Sequence, residues 1–362
     1  MITNEQFFTH NTFIIFGAGN TGKRVKSIIN GIGKEVDYYL VSNTQQEKFS
    51  ESTAVISLID EDRLTNKNVP VIIAVFNREK NSNIFSIITL LKQKGFTNII
   101  TFYEFHAIFA EELGDCFWLT KPSYYIENRT RLTECLSLFE EQQSKLLYSQ
   151  IIEFLYSFDP HLLSEPDMDH QYFPENLKVW DGTNAFVDVG TFDGQNILDA
   201  AKKFGILSMV IAFEPDLDNF KNISRLISWP AVTKEAVLYP CGVWSESKTL
   251  HFSSGSGESN AISNKGDIVI QAVSLDDVLK GIVPGFIKMD VEGAEIEALN
   301  GAKKLISTHR PSLAISIYHT PGHLFEIPLL LASWDLGYKF YLRFHGHNLF
   351  ETVLYCILDD KK

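Results

Sequence analysis

Basic side chains are the scarce charged class in this sequence: 32 Lys and Arg stand against 45 Asp and Glu in 362 residues, a formal −13 with neutral His. A field of that sign repels phosphate backbones and anionic lipid, so neither a nucleic acid nor a membrane surface is the expected main partner. Cysteine is scarce too. Cys116, Cys135, Cys241 and Cys356 are scattered with no CxxC or CxH spacing, which argues against a zinc knuckle or a disulfide framework and fits reduced thiols. No apolar run reaches the roughly 20 residues of a membrane span, and residues 1–8 lack the basic and apolar segments of a signal peptide. A cytoplasmic protein with no membrane span is expected. Low-complexity tracts are absent, and 45% hydrophobic against 21% charged residues is a globular balance. At about 100–200 residues per domain the length suits two cores.

One pattern is written twice: an apolar strand, a glycine turn and a helix. Residues 12–16 read as a buried strand, followed by Gly17-Ala-Gly19-Asn-Thr-Gly22 and a helix over 23–30. Further strands are expected at 36–41, 54–57, 71–76 and 98–101, with a helix over 84–94, which makes a compact Rossmann-like sheet. From Phe102 to about Gly182 the strand pattern stops and apolar residues recur at near-helical spacing. The second sheet then begins. Its expected strands are 185–189, 209–213, 233–238, 286–289 and 313–317, its helices 196–204, 217–227, 295–306 and 324–336. A hairpin insertion falls within 241–273, with 261–263 as one of its strands, and an antiparallel pair closes the chain at 339–342 and 352–357. The fold expected is α/β throughout: a smaller Rossmann-like domain (1–105), a helical connector (106–180) and a larger, mostly parallel doubly wound sheet with an antiparallel C-terminal hairpin (181–362).

Asp188-Val-Gly190-Thr-Phe-Asp193-Gly194 lies at the carboxyl end of a strand and opens a helix, where the crevice of a doubly wound sheet takes its ligand. Gly190 and Gly194 are expected to let a ligand approach backbone that a Cβ would screen. Glu214 stands at the end of the next strand, twenty residues after Gly194. There a carboxylate can accept both hydroxyls of a ribose. The structural alternative is a glycine turn with a helix-capping acid at Glu214-Pro215-Asp216. DxGxxxG with an acid after the second strand resembles the class I S-adenosylmethionine methyltransferases. Phe286-Ile-Lys288-Met-Asp290-Val-Glu292-Gly293-Ala-Glu295, with Leu299-Asn-Gly301-Ala302, Ser274-Leu-Asp276-Asp277 and the segment from Pro311 to His319, narrows the resemblance to the FkbM family over about residues 170–358.

The resemblance implies the class I methyltransferase fold and S-adenosylmethionine-dependent O-methylation of a carbohydrate or glycoconjugate precursor. It puts Asp188, Gly190 and Gly194 against the cofactor's methionine end and Glu214 against its ribose, with Asp193 among the cofactor-binding residues. Methyl transfer to a hydroxyl asks for an in-line approach and a base within hydrogen-bond reach. Asp290, Glu292 and His319 fall at the carboxyl ends of two neighbouring strands. His319 is the expected base because an unperturbed imidazole titrates near neutrality, with Asp290 orienting it or the acceptor. The same three side chains, Asp290, Glu292 and His319, are the ligands on offer if a divalent ion takes part. Glu292 and Glu295 have a plainer role open to them as acids at a helix N-terminus. Arg343, His345, His347 and Glu351 in the last hairpin are candidates to grip an acceptor, and Gln171-Tyr172-Phe173 reads as aromatic packing of a connector or as a fold over the cofactor.

Gly17, Gly19 and Gly22 match a dinucleotide fingerprint, but Val41-Ser42-Asn43 stands where an acid would hold the NAD ribose. A nucleotide or nucleotide sugar at the helix N-terminus remains open there. So do two rivals to methyl transfer, an NAD(P)-dependent oxidoreductase using that turn and a non-catalytic nucleotide- or sugar-binding module. Lys23, Arg24 or Arg343 would supply the cation for a sugar phosphate.

Overall fold

The computed structural model describes residues 4–42, 53–227, 230–252 and 268–359; Asn43 and the expected strand at 261–263 lie outside them. By its contacts the chain divides into two compact units. The first comprises 1–129, 150–166 and 346–350, the second 130–149, 167–345 and 351–362. The helical stretch is thus shared out between the two.

In the first unit β1 (Thr12–Phe16), β2 (Glu35–Val41), β3 (Ala54–Ser57), β4 (Val71–Ile73) and β5 (Ile99–Ile100) form an all-parallel sheet ordered β3-β2-β1-β4-β5. Phe13, Ile14, Ile15 and Phe16 are all buried. That is why β1 is apolar without alternation: a parallel strand is covered on both faces. The helix Asn20–Gly31 follows the glycine turn and buries Gly22, Val25 and Ile29 at three- and four-residue spacing. The helix Ile84–Gln93 begins at Asn83, whose side chain accepts from the Ser86 N–H.

The second unit holds a seven-stranded sheet of β6 (Ala185–Val189), β7 (Met209–Phe213), β8 (Ala236–Tyr239), β12 (Pro284–Met289), β13 (Ser312–Ser316), β14 (Lys339–Phe344) and β15 (Thr352–Ile357), with β9 (Gly242–Val243), β10 (Lys248–Phe252) and β11 (Ile268–Val273) as a small separate sheet. The large sheet runs β14-β15-β13-β12-β6-β7-β8. β15 pairs antiparallel with both β13 and β14, and every other pairing is parallel. The chain winds outward from β6 in one direction and from β12 in the other. Their carboxyl ends therefore flank the topological switch point, where such sheets open a crevice. Phe173, Trp180, Phe186 and Phe286 pack together beneath it, Trp180 stacked on Phe286 with centroids 5.8 Å apart, so the stretch preceding β6 is fastened onto the sheet.

The single helix expected over 295–306 is two, Glu295–Asn300 and Lys303–His309. The break follows from packing. A Cβ at Gly301 would stand 2.0 Å from the Trp244 carbonyl oxygen, so only glycine permits this approach. Asp276 then caps the second helix from a distant part of the chain, its carboxylate accepting from the N–H groups of Lys304 at 3.0 Å and Leu305 at 2.8 Å. Among the described residues no helix is long and apolar enough to cross a membrane.

Candidate active site

The penultimate residues of β6 and β12 are charged and turned inward. Asp188 and Lys288 are neighbours in the register of the two strands, both side chains are buried, and Lys288 Nζ lies 3.1 Å from Asp188 Oδ1. Burial raises the Asp188 carboxyl and Lys288 opposes this. Burial works against the ammonium too, but Asp188 and then Asp290 outweigh it, so Lys288 stays charged. Lys288 also donates to the carbonyl oxygens of Val189, at 3.4 Å, and Gly190. Asp188 Oδ2 is buried with no hydrogen-bond partner among the described residues.

The turn after β6 requires its glycines for the backbone itself. Gly190 has φ 77°, and a Cβ there would come within 1.8 Å of the Asp290 carbonyl oxygen; what approaches its backbone is the neighbouring loop. Gly194 has φ 81° at the start of the helix Gln195–Phe204, and only ordinary contacts would meet its Cβ, so its left-handed backbone is the requirement. Asp193 is exposed, and its Oδ1 accepts from the Gln195 N–H at 3.0 Å. Glu214, 7% exposed, closes the other side of the turn. One oxygen accepts from Phe192 N–H at 2.8 Å, the other from Asp216 N–H at 2.9 Å. Burial raises its carboxyl against those two bonds. A carboxylate has about four acceptor positions, so these bonds orient it and leave capacity for a diol.

After β12 and β13 four side chains converge. His319 Nδ1 is 2.8 Å from Glu295 Oε1, and its Nε2 is 3.2 Å from Asp290 Oδ1 and 3.6 Å from Glu292 Oε2. Glu295 is fully buried. Its oxygens accept from the N–H groups of Val291 at 2.8 Å and Gly293 at 3.1 Å, and Oε2 lies 3.2 Å from His323 Nδ1. Burial would raise this acid, but His319 and His323 reverse the effect and hold it well below the ordinary carboxylate range. Burial likewise disfavours the His319 cation. Glu295, with Asp290 and Glu292 adding to it, pushes the imidazole up to about 10. The three carboxylates thus favour the imidazolium over the neutral ring that the expected base role needs. The Glu292 side chain is 45% exposed, yet partial desolvation by the surrounding protein raises its carboxyl, His319 opposes this, and the like charges of Asp290 and Glu295 reinforce it. Glu292 itself has φ 52°, a backbone conformation found mainly where the surroundings impose it.

Asp290, Glu295 and His319 offer one ligand-type atom each, all within 4.8 Å of one another. That is a donor set a divalent ion accepts, with Glu295 where Glu292 was expected. Sequence reasoning gave Glu295 only a helix-terminus role, because nothing local to it announces His319. Two more members come from afar. Tyr172 donates to Asp290 Oδ2 at 2.8 Å, and Gln171 donates both to the Tyr172 hydroxyl at 3.0 Å and to the Glu351 carboxylate. Arg343 and His345 do other work. Arg343 is buried and donates to Glu141, Ser144 and Asn176. His345 sits between the Asp167 carbonyl, 2.6 Å away, and the Tyr355 hydroxyl, 2.8 Å away, and burial lowers it to about 4.

In the first unit the three glycines of the other turn divide the labour differently. Gly17 has φ 108°, and a Cβ on Gly22 would fall 2.0 Å from the Gly17 carbonyl oxygen. Nothing lies within 4 Å of where a Gly19 Cβ would stand. Lys23 is exposed, Arg24 donates to the Leu113 carbonyl, and His347 belongs to this unit.

Seven strands with only the last reversed, a glycine turn after the first and an acid after the second define a class I methyltransferase sheet. Residues 188–340 match the model of the Methyltransferase FkbM domain, and the chain carries that methyltransferase domain. The crystal structure of methyltransferase FkbM from Methylobacillus flagellatus KT is similar over 96% of this chain and 90% of its own, at 19% identity and a TM-score of 0.76, which extends the likeness of fold through both units. The fibrillarin of Aeropyrum pernix, solved with S-adenosyl-L-methionine, is 11% identical over 51% of this chain and 70% of its own, with a TM-score of 0.32. No curated protein matches the chain.

Proposed function

We propose that this protein moves the methyl group of S-adenosylmethionine onto a hydroxyl of a carbohydrate or glycoconjugate precursor. The observation that carries the proposal is the pairing, across one crevice, of two unlike acidic sites: Asp188 and Glu214 around the glycine turn, and Asp290, Glu292 and His319 beyond it. When bound, S-adenosylmethionine supplies a methyl group on a sulfonium. Glu214 would accept the ribose hydroxyls, and the unpartnered Asp188 Oδ2 an ammonium. Asp290 and Glu292 would accept hydrogen bonds from the acceptor and fix its approach, where positioning supplies much of the acceleration. As the new C–O bond forms and the methyl–sulfur bond breaks with S-adenosylhomocysteine as the leaving group, the hydroxyl proton would pass to a carboxylate, for which the raised Glu292 is better matched than an ordinary acid. His319, protonated between Asp290 and Glu295, holds both carboxylates in place.

A glycan hydroxyl suits this surface because its polar groups are mainly acceptors. Two buried cations of this unit are engaged, Lys288 with Asp188 and Arg343 with Glu141, so a sugar phosphate finds no free partner in either. The test is transfer of a radiolabelled methyl group from S-adenosylmethionine to a panel of glycosides, with amine and carboxylate acceptors alongside. Label on a glycoside hydroxyl is expected. Label only on amines or carboxylates, with S-adenosylhomocysteine bound, would refute the hydroxyl specificity and leave the cofactor standing.

A second proposal concerns the first unit. The open space at Gly19, ahead of the helix Asn20–Gly31, favours a nucleotide or nucleotide sugar there. Calorimetry with UDP, a UDP-sugar and NAD tests it. Binding of NAD alone would instead favour the oxidoreductase.

A further inference from the structure

Tyr172 belongs to no motif, yet it is built into the site more firmly than most residues that do. Its side chain is 2% exposed and its backbone lies at φ 60°, a conformation that non-glycine residues hold mainly where the surroundings over-determine it. Three contacts do so. The hydroxyl donates to Asp290 Oδ2 at 2.8 Å and accepts from Gln171 at 3.0 Å, and Lys288 Nζ stands 5.3 Å from the ring centroid. Gln171 is tied in turn to Glu351, itself buried and at φ 56°. Burial keeps the phenol far above its ordinary titration range, so it remains a donor.

The partner of that donor is placed where methyl transfer would need it. The Asp290 peptide abuts the Gly190 turn, with its N–H donating to the Val189 carbonyl at 3.0 Å. Its carboxylate, still 20% exposed, is held at Oδ2 by Tyr172 and faced at Oδ1 by His319. A carboxylate bonded at one oxygen and drawn to an imidazole at the other resists turning about its last bond, and a preoriented charge of this kind needs no rearrangement at the moment of reaction. We propose that Tyr172 is the positioning residue of Asp290, clamping its carboxylate toward the transferred methyl group and the acceptor hydroxyl. The inference rests on the S-adenosylmethionine reading of the crevice.

Sinefungin permits a test that needs no acceptor, because an amine-bearing carbon replaces the sulfur of S-adenosylhomocysteine and puts a cation where the methyl would be. Calorimetry on the full chain would compare the two ligands in the unaltered protein, Tyr172→Phe, Asp290→Asn and the double variant. Phe keeps the ring and its contact with Lys288. Loss of the clamp is expected to weaken sinefungin about tenfold, as for one hydrogen bond to a charged group, while S-adenosylhomocysteine stays within about twofold by the same reasoning. Asn at 290 should cost at least as much, and adding Tyr172→Phe to it should cost nothing more. Equal weakening of both ligands by Tyr172→Phe, no change in sinefungin, or additive losses in the double variant would each overturn the proposal. Failure of the unaltered protein to bind S-adenosylhomocysteine would instead overturn the cofactor reading, and this proposal with it.

Discussion

The His319 cluster makes stability depend on pH in an unusual direction. The imidazole is raised from 6.5 to about 10 by carboxylates that outweigh its burial. A group raised in the folded state stabilises it fully below the unfolded value, near 6.5, and the contribution is lost as pH climbs through about 10. At about 1.36 kcal/mol per unit, the difference between 6.5 and 10 amounts to something of order 5 kcal/mol. His319→Gln keeps a planar polar group of similar reach and removes the charge. Urea denaturation of both proteins, with the transition of the 167–345 region followed by hydrogen exchange in β13, should show the widest gap below pH 6.5. The gap should narrow by about 4 kcal/mol at pH 9.5, three units on. A gap that stays constant across this interval would refute the charge argument, because groups out of reach of His319 act equally on both proteins. So would an imidazole nitrogen resonance of His319 that titrates near 6.5.

Gly190→Ala should lower stability by more than about 3 kcal/mol, since a positive φ and a backbone clash act together. Gly205→Ala, at φ 81° and ψ −160° with nothing within 4 Å, should lose only the roughly 1–3 kcal/mol of the backbone conformation; equal losses in thermal denaturation would show that the Asp290 carbonyl yields. Glu214→Gln should weaken S-adenosylhomocysteine at least about tenfold by calorimetry, from the value of a hydrogen bond to a charged acceptor, and an affinity within about twofold would remove the ribose assignment. Chelation should change neither ligand binding nor methyl transfer, because both His319 nitrogens already face carboxylates, at 2.8 and 3.2 Å, and the imidazolium balances their charge. Activity lost to EDTA and restored by magnesium would assign Asp290, Glu295 and His319 to an ion instead.

Local pattern made much of this architecture legible in advance. β1, β6 and β7 are short apolar runs bounded by turn residues, and each begins and ends where the sequence indicates. Asp188, Gly190 and Glu214 are separated by one strand and one helix, a spacing that forces them to one end of the sheet once the strands pair in parallel. The break at Gly301 was not legible, because its cause is a carbonyl oxygen fifty-seven positions away in the sequence, on Trp244. Nor was the use of Arg343, whose partner Glu141 sits in the bend between two helices of a distant stretch and turns an apparent anion grip into an ion pair.

The division is sharpest at the acceptor side of the crevice. Sequence alone determined that the residues after β12 and β13 would stand side by side, because parallel strands in register bring their carboxyl ends together whatever their side chains are. Only the tertiary structure decided what those side chains are there. His319 is an ordinary imidazole until Glu295, Asp290 and Glu292 close around it, and Tyr172 is connector packing until its hydroxyl meets Asp290. Charge and hydrogen-bond role depend on distance in space and on exclusion of water, and neither is a property of a residue's place in the chain. The scarcity of basic residues gains its meaning the same way: the few that reach the sheet's interior, Lys288 and Arg343, are already bound to acids.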